Sequence, residues 1–372
     1  MIETRASGKL YVVGEYAVVE PGQPAVLVGV DRFLTVRLTE APAGAESGRV
    51  HSNRYGRTPL TWSRSRDGIV LEHEPYDYVF AAIAAVEQLR SELGLPPRYF
   101  DLDIGSELDD ADGRKFGLGS SAAVTVATVT ALNEFYNLGL TRTESFKLAL
   151  LATIEVAPNA SGGDLAASVF GGWIRYTSPD REALRLHRSV HGVAATLTTP
   201  EEWQGYGVNR LAPPEDLRLL IGWTGTPAST ERLVNRVHHT GRDIGRPFSS
   251  FLGQSRECVD ALVECLGGSS GEGIGESGAG ALDVIKRARH LLQLLGSSAG
   301  VQLETARLRA LCDIAEQHGA AAKPSGAGGG DCGIVLADAD LPVRGMLREW
   351  EAHDIRRLSL SARPAEGGTD GF

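Results

Sequence analysis

The sequence predicts an α+β protein built from two domains. Its first half alternates β-rich and helical stretches, and a proline-rich joint, NRLAPPED, follows near residue 210. The second half then starts again with a buried strand, LRLLIGWTG. We therefore expect a first domain over residues 1–210 and a second over residues 211–372, each with its own core.

The first domain opens with three predicted strands. The runs KLYVVGEYAVVE, AVLVGVD and FLTVRLTE are rich in β-branched and aromatic residues, and the turn PGQP separates the first two. A helix over YVFAAIAAVEQLRSEL carries an apolar stripe and ends before Gly94 and Pro96. A strand over YFDLDIGSEL, helices over residues 124–136 and 144–156, and a strand over GGWIRYTS complete the domain.

The second domain shows helical patterns around residues 247–266, 281–295 and 303–318 after its first strand. Two strands flank a glycine loop in AAAKPSGAGGGDCGIVLAD, a helix follows near residues 344–353, and IRRLSLSA is a last strand. A literal GxGxxG lies between the helical patterns in GGSSGEGIGESGAGA. A dinucleotide site requires a strand before this pattern, so we expect a flexible linker there instead.

Composition and charge exclude several classes of function. Of 372 residues 42% are apolar, while 37 Lys and Arg stand against 47 Asp and Glu, a net charge of −10. Such a surface repels nucleic acid and anionic membranes, so a phosphorylated small molecule must be held by local features. The sequence has no membrane-length apolar run and no secretory signal, so we expect a cytoplasmic protein. The four cysteines show no metal-ligand spacing, so we expect free thiols. We expect a monomer or a homodimer.

The segment KFGLGSSAAVTVATVTAL places bare backbone at the start of a buried helix. The first N–H groups of a helix have no intrahelical partner and lie at the positive end of its dipole, so they stabilise an anion. Gly117 and Gly119 remove side chains that would exclude a phosphate, and Ser120 and Ser121 add hydroxyl groups. The pattern favours a phosphate site; the alternative is a capped helix whose glycines merely permit a tight turn.

Two further segments accompany this loop. SGKLYVVGEYAVV places Lys9 at the start of the first strand, and KPSGAGGGDCG is a second glycine-dense loop between two strands. The chain contains SGKLYVVGEYAVV first, then GLGSSA and then KPSGAGGGDCG. Together these three segments resemble the signature segments of the GHMP kinase superfamily. The stretches SGGDLAAS and GWTGTPAST extend the resemblance to the bacterial phosphomevalonate kinases of that superfamily.

The resemblance implies the two-domain GHMP kinase fold, with a mixed α/β N-terminal domain, a ferredoxin-like C-terminal α+β domain and an active site between them. It implies ATP and Mg²⁺ as cofactors and transfer of a phosphoryl group to 5-phosphomevalonate, on the mevalonate route to isoprenoids. Mevalonate kinase and diphosphomevalonate decarboxylase are alternatives within the superfamily. A catalytically idle regulator that only binds ligand is the alternative outside enzymes.

The resemblance also implies roles for individual residues. Lys9 and Asp164 are implied as catalytic, and Ser120 as a ligand of Mg²⁺. The implied nucleotide-binding residues are Lys115, Gly117, Leu118, Gly119, Ser120, Ser121 and Ala122. The implied substrate-binding residues are Lys9, Lys115, Ser161, Gly162, Gly163, Ser325, Gly326, Ala327, Gly328 and Gly329.

Simpler interpretations of several residues stay open. Asp164 is also a typical helix N-cap, and as a catalytic group it is either a base or an electrostatic orienter. Lys9 alone is typical of a solvated surface lysine. Arg114 is a second candidate cation beside the first loop. Glu155 is either a Mg²⁺ ligand or a solvated carboxylate, and Asp331 is expected to stabilise a turn.

Overall fold

The computed structural model describes residues 1–52, 58–65, 68–71, 77–226, 228–244, 246–267 and 274–365. Within these ranges the strands form two separate sheets, and helices pack against both. The predicted α+β architecture is confirmed. The predicted division after residue 210 lies inside the last strand of the first sheet, which ends at Leu211, and the second sheet begins at Leu217; the division stays a prediction.

Within the described residues, eight strands form the first sheet. They are β1 (Ile2–Val13), β2 (Pro24–Glu40), β3 (Gly48–Ser52), β4 (Leu60–Ser65), β5 (Gly68–Leu71), β6 (Phe100–Ser106), β7 (Trp173–Thr177) and β8 (Gly207–Leu211). Strand β2 is central to the sheet. Strand β1 pairs with one edge of β2, and β7 and β6 pair with different parts of its other edge. Strands β3 and β6 run parallel, and the other pairs are antiparallel.

The start of this sheet differs from the prediction in two ways. AVLVGVD and FLTVRLTE are one continuous strand, β2. The first strand, by contrast, ends at Val13, because the chain turns at Gly14 and Tyr16, whose φ angles are +97° and +62°, into a 3₁₀ helix at Ala17–Val19. A Cβ on Gly14 would lie 2.6 Å from the backbone of Ala25, so only glycine fits this turn.

The helices of the first domain are α1 (Tyr78–Glu92), α2 (Ser120–Tyr136), α3 (Arg142–Val156), α4 (Gly163–Phe170) and α5 (Arg181–Thr198). Helix α2 is central, since it packs against β1, β2, α1, α3 and α4. It begins at Ser120, directly after the glycine loop and earlier than residue 124, where the apolar pattern begins. Helix α5 was not predicted, and Gly192 interrupts it with a φ of +84°.

The second sheet has the strand order β10-β11-β9-β12 and is antiparallel throughout. Its strands are β9 (Leu217–Trp223), β10 (Ala321–Pro324), β11 (Cys332–Asp338) and β12 (Arg356–Leu358). The helices of this half are α6 (Thr230–Ile244), α7 (Arg246–Gly267), α8 (Ile274–Ala299), α9 (Ala306–Gln317) and α10 (Arg344–Ala352). The strand order is that of the ferredoxin-like β-α-β-β-α-β pattern, with the described helices α6 to α9 in place of its first helix, which confirms that expectation.

Two details of the second half correct the sequence analysis. Helix α8 begins at Ile274, so Gly275 and Gly278 of the GxGxxG pattern lie in a helix instead of a linker, and Gly273 lies outside the described residues. The last strand ends early, and the chain returns to the first sheet, where Ala362 bridges to Val30. Among the described helices, none is both long and apolar enough to span a membrane.

Candidate active site

A cleft of about 370 Å³ lies between the two sheets. One wall consists of the end of β1, the first glycine loop (residues 117–121) and the connection from α3 to α4. The other wall consists of the start of α6 and the second glycine loop (residues 325–331), which joins β10 to β11. Both halves of the chain therefore contribute to the cleft, as the sequence analysis expected.

The first glycine loop presents backbone to the cleft. Gly117 and Gly119 have φ angles of +81° and +79°, in the left-handed region that favours glycine. A Cβ on Gly119 would lie 2.6 Å from Cε of Lys9. Gly119 is also the N-cap of α2 and makes no side-chain cap hydrogen bond, a geometry typical of helix N-termini that bind anions.

Lys9 and Asp164 form an ion pair next to this loop, with 3.1 Å between Nζ and Oδ2. Lys9 is only 6% exposed, so the interpretation of a solvated surface lysine is wrong. Its backbone N–H donates to the carbonyl of Leu118 at 2.9 Å, which joins β1 to the loop. Asp164 lies in the first turn of α4, whose N-cap is Gly162, so the N-cap interpretation of Asp164 is also wrong.

Tyr11 and Ser161 lie next to the ion pair of Lys9 and Asp164. The ring of Tyr11 lies 5.2 Å from Nζ of Lys9, and its hydroxyl is 3.0 Å from Oγ of Ser161. Ser161 also accepts a hydrogen bond from the N–H of Gly163 at 3.2 Å, which fixes the start of α4. Burial first, and then the charge of Asp164, raise the pKa of Tyr11 well above its usual value, so its hydroxyl stays protonated.

The second glycine loop is fastened to β1 by side chains. Oγ of Ser325 accepts from the N–H of Tyr11 and donates to its carbonyl, both at 2.9 Å. The hydroxyl of Tyr16 donates to the carbonyl of Ala327 at 2.6 Å. Because a hydroxyl has one proton to donate, Ser325 here holds the loop in place rather than offering a donor to the cleft.

A buried ion pair between Glu15 and Lys323 continues this connection. The two residues are 4% and 0% exposed, and Nζ of Lys323 also donates to the carbonyl of Pro324 at 2.7 Å. Each charge would be very unfavourable alone in this interior, so the two depend on each other. The pair fixes the end of β1, where Glu15 lines the cleft, to β10 of the second sheet.

Most residues that the sequence implied do line the cleft. They are Lys9, Lys115, Gly117, Gly119, Ser120, Ser121, Ala122, Ser161, Gly162, Asp164, Ser325, Gly326, Ala327 and Gly328. Leu118, Gly163 and Gly329 lie behind its surface. Leu118 is buried, and the N–H of Gly329 donates to the carbonyl of Leu303 at 2.7 Å.

Two candidate residues point away from the cleft. Arg114 lies 3.2 Å from a carboxylate oxygen of Asp110, whereas its neighbour Lys115 lines the cleft. Glu155 lies 3.5 Å from the guanidinium of Arg188, outside the cleft lining. This placement favours the interpretation of Glu155 as a surface carboxylate.

Sequence reasoning missed several lining residues. Tyr78 and Glu231 line the cleft, and Asn159 donates to Oδ1 of Asn235 across it at 2.9 Å. Glu231 and Asn235 were missed because α6 was not predicted. Asp331, for which the sequence predicts only a turn, lines the cleft too, and burial raises the pKa of its carboxyl to about 6.

Comparisons with known proteins agree with this geometry. The family profile described as GHMP kinases N terminal domain matches residues 77–172, and that described as GHMP kinases C terminal matches residues 281–354. The solved Streptococcus pneumoniae phosphomevalonate kinase in complex with phosphomevalonate and AMPPNP is 28% identical, with a TM-score of 0.83 and coverage of 98% of this chain and 100% of the other. The two-domain fold is therefore that of the GHMP kinases.

Sequence relatives point the same way. The phosphomevalonate kinase of Streptomyces sp. (strain CL190) is 44% identical over 97% of this chain and 96% of the relative. The mevalonate kinase of Thermococcus gammatolerans is 30% identical, with coverage of 89% and 88%. The resemblance carried by the three glycine-containing segments is confirmed, and the chain belongs to the GHMP kinase family.

Proposed function

We propose that this protein transfers the γ-phosphoryl group of ATP to the phosphate of 5-phosphomevalonate, which gives 5-diphosphomevalonate and ADP. The reaction class rests on the ion pair of Lys9 and Asp164 beside a glycine loop at a helix N-terminus. The choice of 5-phosphomevalonate as the acceptor rests on one observation, the 44% identity to a phosphomevalonate kinase over 97% of the chain. The reaction belongs to the mevalonate pathway of isoprenoid biosynthesis, and we propose that the protein carries it out in the cytoplasm.

The residues present fit a nucleotide with Mg²⁺. The bare backbone at Gly117 and Gly119 leaves room for phosphate groups at the start of α2. In the described residues, no group of three or more His, Cys, Asp or Glu side chains is arranged to hold a metal ion. Mg²⁺ typically keeps few protein ligands and binds through nucleotide phosphates, and the hydroxyl of Ser120 is the protein ligand that the resemblance implies. When bound, the ion neutralises phosphate charge.

Lys9 supplies the fixed positive charge of the site. Its burial removes the competing water that would weaken its field, and its neighbours hold Nζ between Asp164 and the ring of Tyr11. A cation held in this way stabilises the negative charge that spreads over the transferring group. Lys115 lines the cleft beside Gly117, which supports a role in binding a second phosphate.

Asp164 acts by orienting Lys9. The second ionisation of a phosphate monoester has a pKa of about 6, so the acceptor phosphate is already mostly a dianion near neutral pH and needs no base. An oxygen of that phosphate forms the new bond to the γ-phosphorus, while the bond to the bridging oxygen breaks and its electron pair leaves with ADP. No proton has to move in this step.

The decisive experiment measures ADP release with Mg-ATP and each of three acceptors: mevalonate, 5-phosphomevalonate and 5-diphosphomevalonate. Turnover with 5-phosphomevalonate alone, with new diphosphate signals in the ³¹P NMR spectrum, is the expected result. Turnover with mevalonate would instead indicate mevalonate kinase, and ADP with carbon dioxide from the diphosphate would indicate the decarboxylase. Nucleotide binding without turnover on any acceptor would indicate an idle regulator.

Two substitutions test the assigned roles. Lys9→Met and Asp164→Asn each remove one partner of the ion pair, and each should lower kcat about 100-fold or more with a much smaller change in nucleotide affinity. If Asp164 only orients Lys9, the pH dependence of the residual Asp164→Asn activity matches that of the wild type. A wild-type kcat in either variant would remove that residue from the proposed mechanism.

A further inference from the structure

We propose that Asp331 is a ligand-contacting residue of the phosphate site, which donates a hydrogen bond from its protonated carboxyl group to a phosphate oxygen held at the first glycine loop. The proposal rests on the proposed function, since it requires a phosphorylated ligand in the cleft. It assigns a chemical role to a residue whose position in a turn would otherwise explain its presence.

The carboxyl group of Asp331 lies directly against the first glycine loop, although the two belong to different halves of the chain. A Cβ on Gly117 would lie 2.4 Å from Cβ of Asp331 and 2.8 Å from its Oδ2. Gly117 therefore has to be glycine in part because Asp331 occupies the space beside it. A phosphate bound at this loop would lie next to the same carboxyl group.

The two oxygens of this carboxyl group have different surroundings. Oδ1 accepts a hydrogen bond from the N–H of Ala228 at 3.3 Å. For Oδ2, no hydrogen-bond donor lies within reach among the residues that the structure describes, and this oxygen is on the side of Gly117. A neutral carboxylic acid needs one accepting oxygen and one O–H, so the arrangement suits a proton on Oδ2 that points toward the loop.

The charges around Asp331 set its protonation. Burial raises its pKa to about 6, against the opposing effects of the Ala228 hydrogen bond, Lys9 and Lys115. The titratable and charged groups that share its surroundings are Lys9, Lys115, Asp164, Glu231, Arg114 beside Gly225, and the adjacent Cys332 thiol. A bound phosphate adds negative charge and disfavours the carboxylate further, whereas Mg²⁺ on a nucleotide would offset part of this effect, so the proton is retained most fully when the ligand is 5-phosphomevalonate.

The main chain of Asp331 has a separate structural task. Its N–H donates to the carbonyl of Thr226 at 2.7 Å, and its carbonyl accepts from the N–H of Thr224 at 2.9 Å. Its φ of +52° lies in the left-handed region, which Asn adopts as readily as Asp. Asp331→Asn therefore keeps the turn and a donor group, and it removes only the titration.

The experiment measures dissociation constants for AMPPNP with Mg²⁺ and, separately, for 5-phosphomevalonate, from about pH 5.5 to about pH 8, with wild type and Asp331→Asn. Above about pH 6, wild-type affinity should weaken relative to the variant by about tenfold per pH unit. Ionisation of the ligand is the same for both proteins and cancels in this ratio. An effect with AMPPNP assigns the contact to a nucleotide phosphate, and an effect with 5-phosphomevalonate assigns it to the acceptor phosphate.

A second measurement uses the wild-type protein alone. Calorimetry in two buffers of different ionisation enthalpy should show uptake of close to one proton per bound ligand near pH 7.5, after correction for the ionisation of the free ligand. A pH-independent ratio for both ligands, or no proton uptake, overturns the proposal. Turnover of 5-phosphomevalonate, assayed on the same wild-type sample, reports the proposed function independently of this outcome.

Discussion

Replacing Gly119 by alanine tests whether Lys9 must be held against Asp164. The new Cβ would lie 2.6 Å from Cε of Lys9, a separation that real Cβ atoms essentially never show, and 3.4 Å from Oδ2 of Asp164. The end of the lysine side chain has to move, and the 3.1 Å contact between Nζ and Oδ2 is lost. The backbone N–H groups at the start of α2 remain.

Two effects of this substitution have different magnitudes. Placing alanine at a φ of +79° costs about 1–2 kcal/mol of stability. Displacing the cation from the transferring group should lower kcat by about 10²–10³-fold. Gly139→Ala is the matched control, because its φ is +68° and, in the described part of the chain, no heavy atom lies within 4 Å of the new Cβ.

The assay is ADP release with Mg-ATP and 5-phosphomevalonate, together with urea unfolding of both variants. Both should lose about 1–2 kcal/mol of folding free energy, whereas only Gly119→Ala should lose activity. If folded Gly119→Ala turns over as fast as Gly139→Ala, the contact between Lys9 and Asp164 does not matter for catalysis and the reasoning is refuted.

Three further predictions concern stability and reactivity. The pKa of Asp331 is about 6 in the folded protein and near 3.8 in the unfolded protein. The stability that this carboxyl group contributes is therefore full below pH 3.8 and is lost as the pH rises through about 6. Asp331→Asn should stabilise the protein by up to about 3 kcal/mol at about pH 8 and not near pH 4, as measured by urea unfolding. Lys323→Met leaves the buried charge of Glu15 unpaired and should cost about 3–5 kcal/mol, part of which Glu15→Gln restores; equal losses in the single and double variants would contradict this. Burial raises the pKa of both thiols, but Cys312 is fully buried and Cys265 is not, so mass spectrometry after brief treatment with a thiol reagent should find Cys265 modified first.

Local patterns predicted much of the fold. Runs of apolar and β-branched residues located β1, β2, β6, β7 and β9 to β12, and the glycine loop marked the region where α2 begins, because both signals depend on neighbouring residues. The short strands β3, β4, β5 and β8 were not predicted. The order of the segments also predicted an α+β second half, and the resemblance to the GHMP kinases implied that it is ferredoxin-like. The helices α5 and α6 were missed because both are rich in charged and polar residues and contain glycine, so neither shows the apolar run that marks α2.

Contacts between distant parts of the chain could not be predicted in the same way. Glu15 and Lys323 are 308 positions apart, and Gly117 and Asp331 meet only when the two halves come together. The raised pKa of Asp331 arises from that contact, since burial is a property of the assembled cleft. A sequence shows which residues are able to titrate, but not which of them the fold removes from water.

The sequence by itself determined the chemistry available at each segment: bare backbone at Gly117 and Gly119, hydroxyls after it, and cations beside it. Tertiary structure decided which of those cations serve the site. Lys115 lines the cleft, while Arg114 lies over the ring of Trp223, 5.0 Å from its centre. Adjacent side chains on an extended segment point to opposite sides, and only the packing of the second half against the first determines which side becomes the cleft.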